Sequence, residues 1–168
     1  VHRLRAEGLD FTTTAPKRWT FSAPVAARPA DVFAAISADP STWTAWFPGL
    51  SAGHYDGDAP PGIGSGREVT VGRARYVETV LAWDAPRHWA YRVDETTVPM
   101  AHALVEEWRV APDGDGSVVS WTFAIDPRPL FTVALPLAPT VMGRLFRRAM
   151  RNLSRHLAAD LPPPFFGA

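Results

Sequence analysis

The stretch Pro139-Thr140-Val141-Met142-Gly143-Arg144-Leu145-Phe146-Arg147-Arg148-Ala149-Met150-Arg151-Asn152-Leu153-Ser154-Arg155-His156-Leu157-Ala158-Ala159-Asp160 decides the fold. Its apolar positions, Met142, Leu145, Phe146, Ala149, Met150, Leu153 and Leu157, recur at steps of three and four. That period lays them along one stripe of an α-helix. Pro162-Pro163-Pro164 stops the helix, since proline lacks the N–H that continues it. A helix with one apolar stripe must bury it against another element, and what precedes it in this chain reads mostly as strands.

Working back from the helix, 118–125 alternates, with Val119, Trp121, Phe123 and Ile125 on one face. Alternation of this kind marks a half-buried strand. Further strands are expected at 103–110, 89–93, 74–83, 67–71 and 50–55, with Gly72-Arg73 as a tight hairpin turn. Residues 56–66 and 96–101 read as loops. The first strand is 17–25, with Trp19, Phe21 and Ala23 on its apolar face. Pro29 suits the first turn of a helix, whose stripe is Val32, Phe33 and Ile36. Asp39-Pro40 breaks that helix, and 41–46 forms a second short helix or turn ending at Pro48-Gly49. One domain over 17–160 is expected, between a flexible or loosely docked segment 1–16 and a tail 161–168. A chain of 168 residues buries roughly 70% of its unfolded surface.

Composition removes several function classes. Seventeen basic residues balance seventeen acidic ones, so no global field recruits nucleic acid. Cysteine is absent, which removes disulfides, thiolate metal sites and cysteine nucleophiles. The five histidines show no metal-ligand spacing. Gly62-Ile63-Gly64-Ser65-Gly66 lacks the Lys-Ser/Thr ending of a phosphate loop and opens a strand. No serine sits in a nucleophile elbow. No apolar run reaches membrane-span length, and Val1-His2-Arg3-Leu4-Arg5 lacks a leader's apolar stretch. A cytoplasmic location is the expectation.

Several stretches together resemble the START-like, or SRPBCC, superfamily and its polyketide cyclase/dehydrase-like branch. They are Ala23-Pro24 closing a strand, Val32-Phe33 in the first helix, and the Asp-Pro…Trp…Trp-x-Pro-Gly run over 39–49. The Asp84-Ala85-Pro86-Arg87 turn and Gly116-Ser117-Val118-Val119-Ser120-Trp121 complete the set. The resemblance covers about 18–157. It implies an α+β helix-grip fold: a seven-stranded curved antiparallel sheet wrapped around the C-terminal helix, two short helices after the first strand, and a cavity between. Members bind lipids, sterols, polyketides, hormones or quinones, and some are cyclases or hydrolases. No catalytic residue is shared across the superfamily, so none carries over, and fold alone does not fix function.

The apolar faces nominate a ligand-binding wall. The first strand supplies Trp19 and Phe21, and 89–93 supplies Tyr91. Leu104, Glu106 and Trp108 share a face on 103–110, and Trp121 and Phe123 follow on the last strand. The helix adds Met142, Leu145, Phe146 and Ala149. Aromatic walls suit flat or acyl ligands, oriented by a few polar groups.

Three residues are candidates for acid–base chemistry. Glu106 among aromatics would be desolvated and its proton held more tightly, as a general acid requires; the alternative is pairing with an arginine. His54 shares strand parity with Leu50 and Ala52. Glu78 lies on a strand apolar on both faces, so its direction is open.

Two readings of the helix's arginines, Arg144, Arg147, Arg148, Arg151 and Arg155, also stand. They form a solvated face, or they contact anionic lipid head groups peripherally. The sequence as a whole points to binding of a hydrophobic small molecule without cofactor or metal, by sequestration or transfer. A cyclase- or dehydratase-type enzyme is the first alternative. An interaction domain with a collapsed cavity, acting through the arginine face, is the second. No oligomeric state follows.

Overall fold

The structure, a computed structural model, describes residues 1–132 and 135–159. The expected tail at 161–168 lies outside the described residues. Strands β2 (Lys17–Val25), β3 (Leu50–Tyr55), β4 (Gly66–Val71), β5 (Ala74–Asp84), β6 (His88–Thr96), β7 (Ala101–Asp113) and β8 (Gly116–Pro127) form one antiparallel sheet. Its order is β2-β8-β7-β6-β5-β4-β3. Helix α2 (Pro29–Ser37) and a 3₁₀ helix (Pro40–Ala45) connect β2 to β3, a single helical turn α3 (Pro129–Thr132) follows β8, and the long helix α4 (Ala138–Ala159) closes the fold. This is the helix-grip architecture.

Local chemistry accounts for the connections. Pro29 opens α2, where its fixed φ is already helical and its missing N–H costs nothing. The Asp39 carboxylate accepts from the Ser41 backbone N–H and so caps the 3₁₀ helix. The β4–β5 hairpin turns at Gly72, whose φ of +61° suits glycine. Gly53 answers a different need. A Cβ there would lie 2.9 Å from the Pro40 carbonyl oxygen, so its bare backbone lets β3 lie against the 3₁₀ helix.

The stripe of α4 packs as its period dictates. Phe146, Ala149, Met150 and Leu153 are fully buried, in one core with Trp43, Trp46, Trp89, Trp108 and Trp121. Gly143 lets the Phe21 ring lie directly on the helix, 3.2 Å from where a Cβ would stand. Asn152 donates to the Trp46 carbonyl at 3.1 Å and ties α4 to the 3₁₀ helix.

The N-terminal segment 1–16 docks on the sheet. His2–Arg3 forms a short strand, β1, against Glu95 and Thr96 of β6. β7 pairs with β6 only as far as Arg92, which leaves that edge free for β1. Helix α1 (Phe11–Thr14) buries Phe11 with Ala15 against Ala103, Val105 and Ala124. Those residues alternate with the inward Leu104 and Ile125, so this second, smaller core lies on the outer face.

Candidate functional site

A cavity of about 250 Å³ lies between the sheet and α4. Its walls are Leu50, Val69, Val71, Leu104, Trp108, Phe123 and their neighbours, closed by Trp43 and Phe47 from around the 3₁₀ helix and by Met142 and Leu145 of α4. The polar side chains of Arg67, Tyr76, Glu78, Tyr91 and Glu106 interrupt this apolar lining.

Arg67 and Glu78 face each other across the β4–β5 hairpin. The Arg67 Nε donates to Glu78 Oε2 at 2.7 Å, and both residues are buried. The guanidinium lies over three rings, with Cζ 5.0 Å from the Trp43 centroid, 4.7 Å from Trp89 and 4.6 Å from Tyr91. Cation–π attraction of this kind is strongest where water is excluded. One strand further, Glu106 Oε2 accepts two hydrogen bonds, from Tyr91 Oη at 2.7 Å and Trp121 Nε1 at 2.8 Å. Tyr91 and Glu106 are cross-strand partners on β6 and β7, so sheet register sets this contact.

Burial governs the ionisation of the cluster. Desolvation raises Glu78 above its ordinary value; Arg67 opposes the shift and the nearby Glu106 charge adds to it. Desolvation likewise raises Glu106, opposed by the Tyr91 and Trp121 hydrogen bonds and by Arg67. Tyr91 is pushed well above the usual phenol range by burial and by both carboxylates. Burial works to lower Arg67, but Glu78 and the phenols outweigh it and the guanidinium stays charged. Two carboxylates and one guanidinium thus share an apolar space.

This gives a stability signature with a defined sign. Glu78 shifts from 4.5 in the unfolded chain to about 7 in the fold. Between those values the native state keeps a proton that the unfolded chain has released, so stability is full below about 4.5 and is lost as pH rises toward 7. One proton changes stability by at most about 1.4 kcal/mol per pH unit. Urea denaturation of the wild type at pH 5 and pH 8 should show this decline, and Glu78→Gln should flatten it. A slope unchanged by the substitution would place the titration elsewhere.

The structure separates the sequence candidates into groups. Tyr91, Leu104, Glu106, Trp108, Trp121, Phe123, Met142 and Leu145 line the cavity, and so does Glu78. Trp19 lines a smaller adjoining recess of about 110 Å³ with Phe123 and Met142. Phe21, Phe146 and Ala149 do not line the cavity. Phe21 packs between Trp121 and Phe146, with centroids 5.7 and 6.3 Å away, and Phe146 and Ala149 are wholly buried behind the wall. On α4 the 142/145 edge faces the cavity, while the 146/149/150/153 edge meets the packed core.

His54 is not in the cavity either. Its side chain is 64% exposed and lies 4.0 Å from Asp56. A register shift between Leu50 and Ala52 inserts an extra residue, and such a bulge exchanges the two faces of the strand beyond it. Leu50 therefore points inward while His54 points out.

Arg67 was absent from the sequence candidates, as were Met100 and the Trp43–Phe47 end wall. Arg67 did leave a trace. It shares parity with Val69 and Val71, and a hairpin turning at 72–73 sets position 67 opposite 78. The five arginines of α4 named above are exposed and form no ion pair among the described residues. No cluster that could hold a metal ion occurs among the described residues, and no described helix is long and apolar enough to cross a membrane.

Comparison with known proteins agrees with this architecture. An uncharacterized protein of Mycobacterium tuberculosis is 30% identical over 158 residues, covering 90% of this chain and 91% of its own. A START superfamily protein of Mycobacterium smegmatis superposes with a TM-score of 0.67 at 13% identity, over 84% of this chain and 97% of its own. A Thermobifida fusca protein gives 0.66 at 24% identity, over 84% and 93%. Those two likenesses speak to the fold alone. The model of the polyketide cyclase/dehydrase and lipid transport family matches residues 17–158, and with the helix-grip sheet and its cavity in place, the chain belongs to that family of START-like proteins.

Proposed function

We propose that this protein binds a small hydrophobic molecule in the cavity between the sheet and α4, for sequestration or transfer. The observation that carries the reading is an apolar space of about 250 Å³ with few polar groups, the Arg67–Glu78 and Tyr91–Glu106 pairs and the Tyr76 hydroxyl. Ligand sites are typically apolar with a few placed polar groups. The volume lies just below the usual range for ligand pockets and favours a ligand of one to three fused rings or a short chain. Burial at roughly 25 cal/mol per Å² of apolar surface supplies affinity. A space of this size weighs against a collapsed-cavity interaction domain.

One observation favours a second reading, acid–base chemistry on the bound molecule. Tyr91 and Glu106 are two titratable groups 2.7 Å apart at the cavity wall, and a raised carboxyl is suited to proton transfer.

Native mass spectrometry tests the binding reading. The purified protein, incubated with naphthalene-sized aromatic compounds and medium-chain alcohols, should form one-to-one adducts. Leu145→Trp, which places an indole into the cavity, should abolish them while circular dichroism stays unchanged. Failure of every compound to bind would sink the reading. Co-sedimentation with anionic vesicles, through the exposed arginines of α4, would favour transfer over sequestration.

A further inference from the structure

The hydrogen-bonding capacity of the cavity is lopsided. Tyr91 and Trp121 both donate to the same oxygen of Glu106, Oε2. Glu106 Oε1 has no hydrogen-bond partner among the described residues, yet it is not sealed, since Glu106 is only half-buried and lines the cavity. The donors nearby, Arg67 Nη2 apart, are committed or buried. The Tyr91 hydroxyl and Trp121 indole N–H serve Glu106, and the Arg67 Nε serves Glu78. Arg67 Nη1 and Trp108 Nε1 have no partner but are buried without contactable surface, Arg67 being packed over three aromatic rings. Tyr76 also lines the cavity, with its hydroxyl 3.9 Å from the Met100 sulfur. A hydroxyl both donates and accepts, so it discriminates against neither kind of ligand.

From this arrangement we infer that the ligand is an apolar molecule bearing a hydroxyl, of the phenol or alcohol class, which donates to Glu106 Oε1, and that free carboxylic acids are rejected. The inference rests on the cavity being a ligand site and adds the chemistry that the site selects. Tyr91 and Trp121 are positioning residues. By holding Oε2 from two sides they lock the carboxylate plane and aim Oε1 inward. A ligand hydroxyl completes the set of acceptors that the fold leaves open. A ligand carboxylate would bring a third negative charge to a space holding Glu78, Glu106 and one guanidinium already paired, and like charges at short range in an apolar medium repel strongly.

Isothermal titration calorimetry at pH 8 with naphthalene, 2-naphthol, 2-acetonaphthone and 2-naphthoate tests the inference on the wild type alone. 2-Naphthol should bind about ten- to a hundredfold more tightly than naphthalene, the range for a hydrogen bond to a charged group. 2-Naphthoate should bind more weakly than naphthalene. Glu106→Gln then provides a readout that a merely structural role would not move. The amide oxygen stays on the Tyr91 and Trp121 side and the amide N–H₂ turns to the cavity, so preference should pass from 2-naphthol to the carbonyl acceptor 2-acetonaphthone. Equal binding of all four probes, or tighter binding of 2-naphthoate, overturns this inference and leaves the cavity as a ligand site. An unchanged 2-naphthol preference in folded Glu106→Gln also overturns it. No binding by any probe overturns the cavity reading and this inference together.

Discussion

Arg67→Met should destabilise the protein by about 3–5 kcal/mol, the usual cost of removing one partner from a buried ion pair. Methionine fills much of the arginine's volume, so the loss is electrostatic rather than steric. Glu78, buried and bonded to Arg67 Nε at 2.7 Å, would lose its counter-charge, and Trp43, Trp89 and Tyr91 would lose the cation stacked among them. The penalty should grow with pH. Where Glu78 holds its proton the abandoned group is neutral and costs less; where solvent would strip that proton the unpaired site resists ionisation. Chemical denaturation at pH 5 and pH 8 reads both effects. The double variant Arg67→Met/Glu78→Leu should recover most of the loss, because an apolar pair of similar volume often replaces a buried ion pair at little cost. It should fall short of full recovery by the cation–π contribution, roughly 0.5–2 kcal/mol. A single variant within about 1 kcal/mol of wild type would mean that the pair is not the electrostatic linchpin of this hairpin.

How the site could be read from the chain differs residue by residue. The cavity-facing edge of α4 follows from its period, because Met142 and Leu145 belong to the stripe that any amphipathic helix must bury. The face of β7 was equally legible: Leu104, Glu106 and Trp108 alternate with residues of the outer face, and all three line the cavity. On the same helix, period alone could not separate Leu145, which faces space, from Phe146, which meets Trp108 and Trp121. Both are apolar, and the distinction depends on how far the sheet curls around the helix. Glu78 was ambiguous because β5 is apolar on both faces. His54 misled because a bulge leaves no clear mark in a strand as short as Leu-Ser-Ala-Gly-His-Tyr. Arg67 was the costliest omission: an arginine at the start of a strand is ordinarily read as solvated, although its parity with Val69 and its register against Glu78 pointed inward.

Phe146→Ala should cost about 3–5 kcal/mol, as phenylalanine truncations in packed cores do. The ring is completely buried and meets three others, with centroids 6.3 Å from Phe21, 6.0 Å from Trp108 and 5.8 Å from Trp121. Trp108 and Trp121 form the cavity wall on their other side. Truncation therefore removes the support behind that wall, and the new void and the natural cavity are separated only by two indoles. An apolar void of this kind stays dry and takes up benzene-sized molecules, so saturating toluene should return part of the lost stability to the variant by mass action. It should raise the melting temperature of the variant more than that of the wild type. If the indoles instead swing back into the void, the cost of truncation should fall below the expected range, the toluene effect should vanish, and the enlarged cavity should accept larger probes than the wild type does. Either result bears on specificity: Phe146 touches no ligand in the proposed site, yet by propping Trp108 and Trp121 it sets how large that ligand can be.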